Sequence, residues 1–138
     1  MFGSSSNRAS AYAKVGVETG VSTADPHKLI LMLFDGAILS IATAAAAMER
    51  NDISTKGQAI SKTIEIVING LKASLDLNAG GELASRLSAL YDYMTERLLY
   101  ANLHNSRPAL DEVRGLLETL REAWAGIAPG ATAANVAA

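Results

Sequence analysis

Residues 29–48 read LILMLFDGAILSIATAAAAM, and Asp35 is the one charged residue among them. Three structures accommodate such a run: a membrane span, the core helix of a bundle, or a helix that shows apolar surface to a partner. Its length fits the roughly 20 residues that a span needs. Asp35 near the middle argues the other way, because inserting a carboxylate costs on the order of 3 kcal/mol. Ser40, Thr43 and the alanine run offset little of that. The neighbouring sequence has to decide.

Just upstream lies Thr23-Ala24-Asp25-Pro26. An aspartate accepts hydrogen bonds from the free amides of a helix start, and proline suits the first helical position. A first helix is therefore expected over 26–50, ending at the turn Asn51-Asp52. A second runs over 54–78, with Gly57 and Gly70 as weak points, up to the glycine stop Asn78-Ala79-Gly80-Gly81. A third covers 81–105. Ser106-Arg107-Pro108 breaks the chain again, and Asp111 and Glu112 fall in the first turn of a fourth helix, where the dipole favours them. That helix ends near Ile127, before Pro129-Gly130.

Each helix carries an apolar stripe spaced by threes and fours. The first has Ile30, Leu33, Ala37, Ile41, Ala44 and Met48, and the second Ile60, Ile64, Val67, Leu71 and Leu75. The third has Leu83, Leu87, Leu90, Met94, Leu98 and Ala101, and the fourth Leu110, Val113, Leu117, Leu120, Trp124 and Ile127. Four such helices joined by short turns make an all-α, antiparallel up-down-up-down four-helix bundle over 23–128. The opening run is then one wall of that bundle, with no membrane insertion. Residues 1–22 read as a flexible segment with room for a short cap helix, and 129–138 as a disordered tail.

One stripe per helix suffices for a bundle, and three helices have more. The first adds Leu31, Ile38, Ala42 and Ala45, beside Met32 and Leu39. The second adds Ala59, Ile66, Gly70, Ala73 and Leu77, and the third Ala89, Tyr93 and Tyr100. Contiguous surplus apolar surface marks an interaction site or the wide flank of a core. The extra stripes of helices two and three lie on the same rotational side. They either converge on the groove the two helices share or both point away from it, and the spacing does not choose. On the surface reading, Ile66→Asp or Tyr93→Asp would weaken partner binding and leave the bundle folded.

The 138 residues carry a net charge of -2 with pI about 5.6, against a nucleic-acid binder, which needs a basic face. Cysteine is absent, so disulfides and thiolate metal sites are excluded. No Glu-x-x-His pair, phosphate loop or cofactor motif occurs. His27 and His104 each lie near a helix end, positions that are commonly solvated. Asp92 and Glu96 sit one turn apart, but Arg97 beside them makes a solvated charged face the better reading. Nothing points to catalysis or to a bound metal. Two other classes stay open: a phosphotransfer bundle using His27, and a bundle whose extra stripes pair with a second copy.

Three stretches carry a resemblance. TADPHKLILMLFDGAI (23–38), GGELASRLSALYDYMTERLLYANLHNS (80–106) and LDEVRGLLETLREAWAGI (110–127) resemble the flagellar secretion chaperone family FliS, and Tyr12 followed by Val17 fits as well. Phe34 stands where the family usually has tyrosine, which removes a hydroxyl and keeps the ring. The resemblance implies a cytoplasmic, non-enzymatic export chaperone without cofactors. Its partner would be the C-terminal segment of flagellin, kept from premature polymerisation and delivered to the flagellar type III export apparatus. Export-gate components or a co-chaperone are further partners. The client would lie in grooves bearing Leu31, Ile38, Ala59, Ile66, Gly70, Ala73, Leu77, Tyr93 and Tyr100, and Tyr12 and Val15 would cap them in its absence. A monomer, or a weak or domain-swapped dimer turning at Gly80-Gly81, is expected.

Overall fold

The structure, a computed structural model, describes residues 25–127. The cap segment with Tyr12, Val15 and Val17, and the tail 129–138, lie outside them. Helix α1 spans Pro26–Glu49, and its cap works as expected: the Asp25 side chain accepts from the amides of His27 (3.1 Å) and Lys28 (3.3 Å). Asn51 turns the chain with a left-handed φ of 58°, which asparagine tolerates better than most residues. Asp52 then caps α2 (Ile53–Glu65) by accepting from the Thr55 amide at 3.1 Å. Helix α3 spans Gly81–His104 and stops at left-handed Asn105; Ser106 caps α4 (Arg107–Ala125) through the Ala109 amide. Since α4 begins at Arg107, Asp111 and Glu112 lie in its second turn, not its first.

The second helix departs most from expectation. After Glu65 it widens into a π-helical stretch, Ile66–Leu71, tightens to a 3₁₀ turn, Lys72–Ser74, and ends. Leu75 is extended, and Asp76 folds the next residues into a turn, its carboxylate accepting from the amides of Asn78 and Ala79. An aspartate that satisfies the two amides ahead of it competes with helix continuation, so the helix stops four residues before Asn78. The turn closes on Gly81, whose φ of +57° suits a residue without Cβ.

The layout is the expected antiparallel bundle. Helix α1 packs between α2 and α4, while α3 packs on α4 and on α2 with its π continuation, and the diagonal pairs have no Cα atoms within 8 Å of each other. The core holds Ile41, Ile60, Met94, Leu98, Leu110 and Leu117. The α1 stripe is buried throughout. On α3 the stripe shifts: Leu83 is exposed, and Tyr91, outside the expected stripe, is buried. Helix α1 alone among the described residues is long and apolar enough to cross a membrane, and here it is a wall of the bundle.

The α1–α2 seam is close. The Ser40 and Thr63 hydroxyls, both buried, lie 2.6 Å apart across it. A Cβ built on Gly70 would lie 3.1 Å from Leu33 Cδ2, and one on Gly36 would lie 3.4 Å from Ile66 Cδ1. We expect Gly70→Val to destabilise by about 1–3 kcal/mol through overpacking. Gly115→Ala, at an α4 position with open space around it, should stabilise by up to about 1 kcal/mol. Chemical denaturation of both variants measures the two signs.

Candidate binding surfaces

At one end of the bundle α1 and α4 are clasped by His27 and Trp124. The rings stack with centroids 5.1 Å apart. His27 Nε2–H donates to the Trp124 carbonyl at 2.8 Å, and Trp124 Nε1–H donates back to the His27 carbonyl at 3.0 Å. His27 is therefore a buried structural residue, where the sequence suggested a solvated one, and its Nε2 is engaged. Beside the clasp opens an apolar cleft of about 170 Å³ lined by Ile30, Phe34, Leu75, Leu87, Tyr91 and Trp124, among others. Phe34 keeps its ring in this wall.

The residues expected to meet a partner separate into three groups. Ala59, Ile66 and Gly70 are buried within the bundle, the last two against Gly36 and Leu33 of α1. The missing side chain at Gly70 serves the approach of α1 itself. Leu31, Ile38 and Ala73 are half-buried. Leu77, Tyr93 and Tyr100 are exposed. The open question about the two extra stripes is answered: that of α2 faces α1 and that of α3 lies along the α4 edge, so both point away from the groove between α2 and α3. Ala59 still reaches a shallow furrow between α1 and α2, which it lines with Gly36, Leu39, Thr43 and Lys62.

The α3–α4 edge is a polar ladder. Tyr93 Oη–H donates to Glu112 Oε2 at 2.5 Å, and Arg97 Nε–H donates to Glu112 Oε1 at 2.8 Å. The Arg97 guanidinium lies 4.7 Å above the Tyr100 ring, and that ring meets His104 at 4.4 Å. The hydrogen bonds from Tyr93 and Arg97 hold the Glu112 carboxyl below its ordinary range, and the bond to Glu112 pushes the Tyr93 phenol up. Asp92 is paired with Lys72 at 2.6 Å, so the Asp92/Glu96 pair belongs to a solvated charged face. Asp35 reaches across to Arg121 of α4. No cluster of His, Cys, Asp or Glu able to hold a metal ion occurs among the described residues.

The stripes also missed exposed apolar residues. Ile53, Leu99 and Leu103 face solvent, as does Leu39, which sits beside the extra stripe of the first helix. Leu99 and Leu103 are one turn apart and outside both α3 stripes, a spacing that pointed to them; Ile53, the first residue of its helix, has no periodic signal.

Paired charges along the seams, no metal cluster among the described residues and apolar side chains left on several faces define a helical bundle suited to binding. The profile of the family described as Flagellar protein FliS matches residues 8–131. The chain is 53% identical to the Flagellar secretion chaperone FliS of Salmonella typhimurium over 122 residues, 88% of this chain and 90% of that one. It is 44% identical to the Escherichia coli protein of that name, covering 83% of this chain and 84% of that one. It is 47% identical to the Pseudomonas aeruginosa Flagellar secretion chaperone FliSB, covering 84% and 91%. This chain belongs to the FliS family of flagellar secretion chaperones.

Three outcomes follow from the placements. Ile66→Asp puts a charge in the core and should unfold the bundle, reversing the expectation that it would leave the fold intact; Tyr93→Phe should leave the circular dichroism spectrum unchanged. A carboxyl whose folded pKa is depressed stabilises above its unfolded pKa, near ~4.3 for Glu, and that stability is lost as pH falls through the folded value. The denaturation midpoint of the wild type should therefore exceed that of Glu112→Gln at about pH 6, and the gap should narrow as the pH falls below the unfolded value.

Proposed function

We propose that this chain is a cytoplasmic export chaperone that binds the C-terminal segment of flagellin, holds it from premature polymerisation and aids its delivery to the flagellar type III export apparatus. Membership of the secretion chaperone family is the observation that carries this reading. The exposed Leu77, Leu99, Leu103, Tyr93 and Tyr100 support it, because an amphipathic client helix needs apolar anchors on its host. Aromatic side chains with a polar tip suit such contacts. Leu31, Ile38 and Ala73, half-buried, extend the available surface, and Ala59 contributes through the α1–α2 furrow. The segment with Tyr12 and Val15 caps apolar surface when the client is absent, and export-gate components or a co-chaperone meet the loaded complex.

Calorimetric titration with the flagellin C-terminal segment of the same organism tests this. The expected result is saturation at one-to-one with a large negative heat-capacity change, the mark of folding coupled to apolar burial. Absence of heat together with absence of a complex on sizing would remove the reading and leave the bundle standing.

A further inference from the structure

The opposite end of the bundle, where α1 turns into α2 and α3 ends, holds a site of different chemistry. Lys56, in the second turn of α2, is 6% exposed, the one buried lysine or arginine among the described residues. Its ammonium donates to the Asn102 carbonyl at 3.2 Å and to Asn105 Oδ1 at 3.0 Å, both neutral oxygens. Among the described residues all six arginines sit in ion pairs, whereas Lys56 has no carboxylate within ion-pair distance. An ammonium has three N–H donors, so one is left after these two bonds. Buried charges are ordinarily paired.

A cavity of about 230 Å³ opens onto Lys56, Asn102 and Asn105. Its other walls include Ile53 and Leu103. These are the two most exposed large apolar residues of the described chain, at 76% and 81%. The bond to Asn102 alone would make Lys56 a cap for the last turn of α3. A cap needs neither an adjoining cavity nor two bare apolar side chains beside it.

The geometry points to a docking site for the free carboxyl terminus of an apolar peptide: the Lys56 ammonium takes the terminal carboxylate, and Ile53 and Leu103 flank the last apolar side chains. Asp52 also lines the cavity, held by the Thr55 amide and by Arg50. Its negative charge opposes a dianion such as phosphate more strongly than it opposes a single carboxylate. The site deepens the proposed function and rests on it, because it assigns the end of the client segment to this end of the bundle.

The test is titration of the full chain, at low salt, with two synthetic peptides of the flagellin C-terminal segment, one ending in the free acid and one in the amide. A charge-assisted hydrogen bond predicts that the amide binds about tenfold or more weakly. Lys56→Met should erase the difference. Leu103→Asp, at a side chain too exposed to affect folding, should also collapse it by adding a negative charge beside the carboxylate. Equal binding of acid and amide to the wild type, or an acid preference unchanged in Leu103→Asp, overturns the inference and leaves the chaperone reading standing. Failure of both peptides to bind overturns both.

Discussion

The close seam between α1 and α2 is the constraint on which the rest depends. Helix α1 is apolar on nearly every side, and it can be covered only if two neighbours press against it. On the α4 side the covering is done by Trp124 at one end and by Asp35–Arg121 and Glu49–Arg107 pairs along the way. On the α2 side it is done by removal of bulk. Gly70 admits Leu33, Gly36 admits Ile66, and the buried Ser40 and Thr63 hydroxyls pair across the seam. Buried hydroxyls paired in this way carry no desolvation penalty left unmet.

Closing that seam moves the spare apolar surface elsewhere. Once Ile66 and Gly70 face inward, the exposed apolar side chains are those at the ends and outer edges: Leu77 and Leu83 near the glycine turn, Leu99 and Leu103 on α3, Ile53 at the start of α2, Leu39 on α1. A client that meets them all has to run around the bundle, which suits a long segment that orders on binding. The α3–α4 edge is different in kind. Tyr93 and Tyr100 are tied to Glu112 and Arg97, so they present ring faces at fixed positions and lose little freedom on contact.

Much of the fold was legible because caps are local chemistry. Asp25-Pro26, Asn51-Asp52, Gly80-Gly81 and Ser106 each mark their boundary by what a side chain or a positive φ can do there. The end of the second helix was not legible in the same way, since the passage from α to π to 3₁₀ leaves no trace in apolar spacing. The extra stripes were harder still. Periodicity places Ile66 and Tyr93 on particular faces of their helices, but a small residue announces a close neighbour without saying whether it is α1 or another chain. His27 was misjudged because its partner, Trp124, lies 97 residues away. Lys56 gave no signal, since a lysine in the second turn of a helix is ordinarily solvated.

The central claim is that the client meets the outer apolar side chains while the α1–α2 seam stays shut. Methyl-resolved NMR of the chain titrated with the flagellin C-terminal segment tests it most directly. Large shifts are expected at Leu39, Leu77, Leu99 and Leu103, with the buried methyls of Ile41, Ile60 and Leu110 little changed. Shifts concentrated at Ile66, Leu33 and Ile60, with the outer leucines silent, would mean instead that the bundle opens along the α1–α2 seam to receive its client.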